Sequence, residues 1–195
     1  MAAGLATPDR TVVPAPRRRL FDRRRPTAAA KAAKAAKAAQ AVEAAERDRQ
    51  RMLAEARLLL ERAGELVRAG WVQDAFYVVR DRHGRLRPVS PFGLVLLSRS
   101  DVVGACLVGA VAHASAQLDR RARRAPAAYA VDTLWAALAE RDGRSTTGAD
   151  SAHPAVRAAR VRELARWNDQ SPRSRAEVLD LIDRAVSRTI FDAVR

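Results

Sequence analysis

A chain of 195 residues carrying 36 Lys and Arg against 22 Asp and Glu, a net charge of +14, has room for one ordinary domain and an appendage. Its single cysteine, Cys106, excludes an intrachain disulfide framework. The longest apolar run, Val102 to Ala112, would rise only about 16 Å as a helix, half a bilayer, so no membrane contact is expected.

Pro8, Asp9, Pro14 and Pro16 interrupt the first apolar residues, so no secretory signal forms and the cytoplasm is the expected location. Residues 1–27 hold four prolines, few large apolar side chains and two arginine triplets: Arg17, Arg18 and Arg19, then Arg23, Arg24 and Arg25. Such a stretch cannot bury enough surface to offset the entropy of ordering, which predicts disorder. Over residues 1–40, ten Lys and Arg face only Asp9 and Asp22, so more than half the excess charge sits on a fifth of the chain.

Residues 28–39 read AAAKAAKAAKAA. Ala and Lys are strong helix formers, but no broad apolar face pins the segment to a core, so a nascent helix is expected there. From Met52 a period near 3.6 sets in with Leu53, Ala56, Leu59 or Leu60, Ala63, Leu66 and Val67. One helix over about 28–69, packed only in its last third, is predicted, with Gly70 as its stop.

The strand formers Phe76, Tyr77, Val78 and Val79, then Asp81-Arg82-His83-Gly84, predict a hairpin of 74–80 with 85–89, Pro88 marking an edge. A helix over about 100–119 follows, with Ser98 or Ser100 as N-cap. Further helices are expected over 126–141 (opened by Pro126), 154–168 (opened by Pro154, after a polar loop of 142–153) and 175–193. Ser174 and Glu177 have the spacing of a capping box at the start of the last. The expected fold is mainly α, a compact bundle of four to five helices with one short β-hairpin and a disordered basic N-terminal arm. Residues 1–50 are taken as the arm and 51–195 as the helical domain.

The order GWVQDAF, DRHGRLRPVSP, CLVGA, WND and EVLDLIDRA, between Gly70 and about Ala185, resembles a family of small actinobacterial and actinophage proteins classed as a domain of unknown function. The resemblance implies a compact helical domain with a hairpin insertion and carries over no activity and no catalytic residue. This chain departs from it in the long basic arm and in a longer loop between the helices at 126–141 and 154–168. Scarce lysine among many arginines also fits a GC-rich genome, which lowers the weight of arginine count as a functional signal.

No catalytic, cofactor or metal site is expected. Cys106, His113 and Asn168-Asp169 have the types of a nucleophile, base and orienter. On one helix, however, Cys106 and His113 would stand about 10 Å apart by rise, where proton transfer needs roughly 3 Å. A buried cysteine is the simpler reading. His83, His113 and His153 lack zinc-ligand spacing. Gly104, Ala105, Gly109, Ala110 and Ala112 suggest a helix closely approached by another helix, and GACLVG lacks the Gly-Lys-Ser/Thr ending of a phosphate loop. Trp71, Trp135 and Trp167 are read as core anchors rather than base-stacking platforms.

The arm carries the functional signal. Lys31, Lys34 and Lys37 step by about 300° and so fall within an arc of about 120°, one cationic face behind the arginine triplets. Arg17, Arg18, Arg19, Arg23, Arg24, Arg25, Lys31, Lys34 and Lys37 are therefore the candidate contacts of a non-enzymatic accessory protein that binds nucleic acid or another polyanion without reading sequence. Arg120, Arg121, Arg123 and Arg124, and Arg157, Arg160, Arg162 and Arg166, are patches that could extend it. The last two helices are joined by the long, glycine-free NDQSPRS, unlike a sequence-reading helix-turn-helix. The alternative is a protein–protein adaptor that uses the helical domain and has an inert arm.

Overall fold

The structure, a computed structural model, describes residues 27–90, 102–119, 124–146 and 153–194. The chain divides into two units, Met1–Val42 and Glu43–Arg195. Apart from Thr27, the stretch expected to be disordered lies outside the described residues, as do Ser98 and Ser100.

Helix α1 is Ala28–Ala69. Thr27 caps it, its hydroxyl accepting the Ala30 N–H at 3.3 Å. In the first unit every described side chain is exposed, as an Ala/Lys sequence without an apolar stripe dictates. In the second unit the buried residues of α1 begin at Leu53 and recur through Ala56, Leu60, Ala63 and Val67.

Three antiparallel strands follow, β1 (Tyr77–Arg80), β2 (Leu86–Val89) and β3 (Val102–Ala105), in the order β2-β1-β3. The predicted hairpin is present, with Tyr77 opposite Val89 and Arg80 opposite Leu86, and β2 is an edge strand as Pro88 required. The helix expected over 100–119 is corrected: its first part is β3, and helix α2 runs only over Leu107–Ser115. Cys106 is the N-cap, its thiol accepting the Gly109 N–H at 3.3 Å. A short apolar run does not by itself distinguish buried strand from buried helix, and the β-branched Val102 is drawn into pairing with Val79 of β1.

Helix α2 does pack against two of the helices that follow it, with Ala110 buried, but the two glycines of this run serve another purpose. A Cβ on Gly104 would lie 2.7 Å from the Gly70 carbonyl oxygen, and one on Gly109 would lie 2.1 Å from that of Phe76. Backbone therefore approaches backbone here. The same close approach explains Gly70, which ends α1 without the positive φ of a left-handed cap.

Helices α3 (Arg124–Arg141), α4 (Pro154–Asp169) and α5 (Arg175–Ala193) complete the fold. α3 starts two residues before the predicted Pro126, which costs no hydrogen bond because first-turn N–H groups have no helical acceptor. α3 packs against α2, α4 and α5, and the run Ala136–Ala139 is buried on all sides. The central core includes Leu60, Leu107, Leu134, Leu138, Leu164 and Ile182, each contributing roughly 1.5–3 kcal/mol by leaving water. The second-unit part of α1 runs antiparallel to α5: Gln50 donates to the Ala193 carbonyl, and Arg68 pairs with Asp183. At α5 the capping box is complete, with Ser174 and Glu177 each satisfying the other's backbone N–H.

Candidate functional site

The lysines of the arm stand on the first-unit part of α1. Lys31, Lys34 and Lys37 are exposed, and none forms a hydrogen bond from its side chain or an ion pair among the described residues. Arg17, Arg18, Arg19, Arg23, Arg24 and Arg25 lie outside the described residues, as do Arg120, Arg121 and Arg123.

The second arginine patch is corrected. Arg160 is only 4% exposed. It donates to Asp132 Oδ1 at 2.8 Å, while Arg157 reaches Oδ2 of the same carboxylate through two nitrogens at 2.8 and 3.1 Å. One half-buried aspartate thus organises two arginines between α3 and α4. Only Arg162 and Arg166 of that group stay exposed.

The tryptophan faces are occupied from within. The Arg173 guanidinium lies 4.1 Å over the buried Trp167 ring, and that of Arg160 lies 4.5 Å over Trp135. Trp135 donates its indole N–H to Glu163 at 2.7 Å. These rings anchor the fold, as expected, rather than offering platforms to bases.

Asn168 is the hub at which the motifs converge. Fully buried, its Oδ1 accepts the Trp71 indole N–H at 2.9 Å and the Leu107 amide at 3.1 Å. Its Nδ2 donates to the Val72 carbonyl at 3.1 Å and to Asp169 Oδ1 at 2.8 Å. Asp169 Oδ1 also accepts the Asp74 N–H at 3.1 Å, fixing Asp74 at φ 55°, a conformation aspartate tolerates. GWVQDAF, CLVGA and WND are thus three strands of one hydrogen-bond network.

Cys106 borders the same network but is not activated. Burial pushes its thiol pKa up, and the nearby Asp169 carboxylate adds to that, against the partial opposition of the Gly109 N–H. His113 stands at the other end of α2 with its ring edge-on to Tyr77. The structure does not bring the two together. His83 sits in the hairpin turn, and His153 caps α4 by accepting the Ala155 N–H at 3.2 Å. No group of three His, Cys, Asp or Glu able to hold a metal exists among the described residues. No described helix is long and apolar enough to cross a membrane.

A cleft of about 820 Å³ is bordered by residues that include Arg49, Arg124, Tyr129, Arg157, Arg188 and Asp192. Several of its polar groups are tied up in hydrogen bonds. Tyr129 donates to Asp192 Oδ2 at 2.5 Å, Arg49 to the Asp192 carbonyl, and Arg188 to Glu140. Burial, then the Asp192 carboxylate, pushes the Tyr129 pKa well up. This is a cross-brace between α1, α3 and α5.

The hairpin has a feature that its turn chemistry overshadowed in the sequence. RDRHGRLR, residues 80–87, holds four arginines and one acid. Asp81 Oδ1 accepts the His83 and Arg85 N–H groups at 2.8 and 2.9 Å. The Asp81 N–H donates to the Arg85 carbonyl at 2.9 Å, and Gly84 turns the chain at φ 77°. Those bonds, the Arg85 one foremost, hold the Asp81 carboxyl below its ordinary pKa. Arg80, Arg82, Arg85 and Arg87 are all exposed. The signal was in the sequence as charge, four arginines in eight residues at a turn.

The model of a family of unknown function (DUF6197) matches residues 49–188. No curated protein and no solved structure matches the chain.

Proposed function

The chain belongs to the family of unknown function DUF6197, and we propose that it is a non-enzymatic accessory protein whose basic arm holds nucleic acid, or another polyanion, without reading sequence. The family match begins at residue 49, after the arm, so this role belongs to the segment that the family domain does not include. The observation that carries it is the state of Lys31, Lys34 and Lys37: three exposed ammonium groups on one helical arc, none engaged by a carboxylate among the described residues. Cations without internal partners are free to displace condensed counterions from a phosphate chain, which supplies affinity without base contacts. Arg17, Arg18, Arg19, Arg23, Arg24 and Arg25 add to the charge of the same arm. A cytoplasmic, actinobacterial or actinophage setting belongs to this reading, supported by the arginine-rich, lysine-poor composition and by the motif order.

A gel-shift with full-length protein and a variant lacking residues 1–42 tests it at low salt. Affinity that survives the deletion unchanged contradicts it. One observation favours the adaptor as a second reading: Ile190, Phe191 and Val194 are 44%, 68% and 81% exposed at the end of α5, an apolar cluster of the kind that marks protein contacts. That reading requires a stoichiometric partner retained after nuclease treatment.

A further inference from the structure

We propose that the β1–β2 hairpin is a second, separate nucleic-acid contact: a rigid basic ribbon that enters the major groove of duplex DNA and neutralises phosphates on its walls. The proposal deepens the polyanion reading and rests on it for the class of ligand, but its site lies in the second unit, on the family domain.

Cross-strand partners share a face of the ribbon. Val79 faces Arg87 across the ladder, and Arg80 faces Leu86. Because successive residues alternate sides, Arg80 and Arg87 emerge on opposite faces, while Arg82 and Arg85 occupy the turn between the strands. Arg80 thus shares the outward face with Leu86, Arg82 and Arg85 hold the tip, and Arg87 stands exposed on the edge strand beside the buried Val79. The one acid among them, Asp81, is committed to two turn amides and to Arg85 at 3.4 Å.

The arginines themselves are loosely held. Arg80 donates to the Gly84 carbonyl at 3.3 Å and Arg82 to the His83 ring at 3.2 Å, both at the surface. Arg87 makes no hydrogen bond from its side chain and no salt bridge among the described residues. Such exposed interactions are readily exchanged for phosphate oxygens. The turn backbone, by contrast, is fixed by four hydrogen bonds from the Asp81, His83, Gly84 and Arg85 amides, which lowers the ordering cost left for binding.

Geometry selects the duplex. Beyond Val79, where the described pairing of β1 with β3 ends, the ribbon is two strands about 4.8 Å apart and with its side chains suits a groove about 12 Å wide. The major groove of A-form RNA is too deep and narrow to admit them. An acidic protein partner would use a cluster of apolar anchors, whereas Leu86, at 59%, is the one large apolar side chain strongly exposed on the hairpin. Protection of an open sheet edge would explain Arg87 and Pro88 on β2, but not the arginines at the end of β1 and in the turn.

The experiment uses the full chain and a fluorescent 20-base-pair DNA, with binding measured by anisotropy across a salt series. Arg82→Gln, Arg85→Gln and Arg87→Gln together, arm intact, are expected to flatten the log K against log salt slope by about 2–3, at roughly 0.9 for each phosphate no longer neutralised. The matching Arg→Lys variant is expected to keep the slope, which separates charge from misfolding. An unchanged slope in the Gln variant overturns the proposal. So does an equal weakening on duplex RNA, or competition by polyglutamate as effective as by DNA, since either removes the groove. A variant with the nine arm cations changed to Gln distinguishes the two readings. If it binds like wild type while the hairpin variant does not, the arm reading fails and the hairpin stands. If only the arm variant weakens, the hairpin proposal fails.

Discussion

The side-chain oxygen of Asn168 accepts the indole N–H of Trp71 at 2.9 Å, tying the C-terminal end of α4 to the segment that leaves α1. The same oxygen serves the Leu107 amide at the start of α2. A completely buried amide with all its bonding capacity engaged is where removal costs most, because its partners are left desolvated and unpaired. Asn168→Ala is expected to destabilise the fold by about 3–5 kcal/mol. Denaturant unfolding checks this, and a destabilisation below about 1 kcal/mol contradicts the hub.

Asp132 poses a related problem in charge. Its carboxylate faces Arg160, whose side chain is 5% exposed, and the more open Arg157 at 29%. Asp132→Asn removes the negative charge that faces the buried Arg160 guanidinium, and about 3–5 kcal/mol of stability is expected to disappear. Arg157→Gln is expected to cost less than about 1 kcal/mol, since Arg160 keeps its partner. Equal effects of the two variants in chemical denaturation refute this division of labour.

The capping box of α5 predicts a pH dependence. The Ser174 N–H first, and then Arg173, hold the Glu177 pKa down to about 2. A carboxylate depressed in the folded state stabilises above its unfolded pKa, about 4.3, and that contribution fades as pH falls through the folded value. The melting-temperature gap between wild type and Glu177→Gln is therefore expected to be full at pH 6, to shrink from about pH 4 and to vanish near pH 2. A gap constant across that range contradicts the assignment.

Cys106 is a structural thiol in this account. Because burial raises its pKa, reaction with a disulfide reagent at pH 8 is expected to be slow in the native protein and complete in guanidinium. Cys106→Ser, which keeps an N-cap acceptor for Gly109, is expected to shift stability by no more than about 1 kcal/mol. Fast native labelling would show an accessible, activated sulfur.

Much of the fold was legible because local signals agreed. The span of α1, the capping box at Ser174 and the turn at Asp81–Gly84 each follow from residues within one or two turns of each other. β3 was not legible, since its strand identity comes from pairing with β1 and from the approach of Gly70, both distant in sequence. For the same reason Arg157 and Arg160 looked like a surface patch, and only α3 placed beside α4 reveals Asp132 between them. The hairpin arginines were visible as letters, but their placement on opposite faces needs the register.

The central claim is that cations of the arm shed counterions onto a phosphate chain. Its most direct test is the salt dependence of binding by the full chain, beside a variant in which Arg17, Arg18, Arg19, Arg23, Arg24, Arg25, Lys31, Lys34 and Lys37 are glutamine. The account predicts a steep wild-type line that the variant flattens by about 5, some six phosphates at roughly 0.9 each. Two superimposable lines would contradict it.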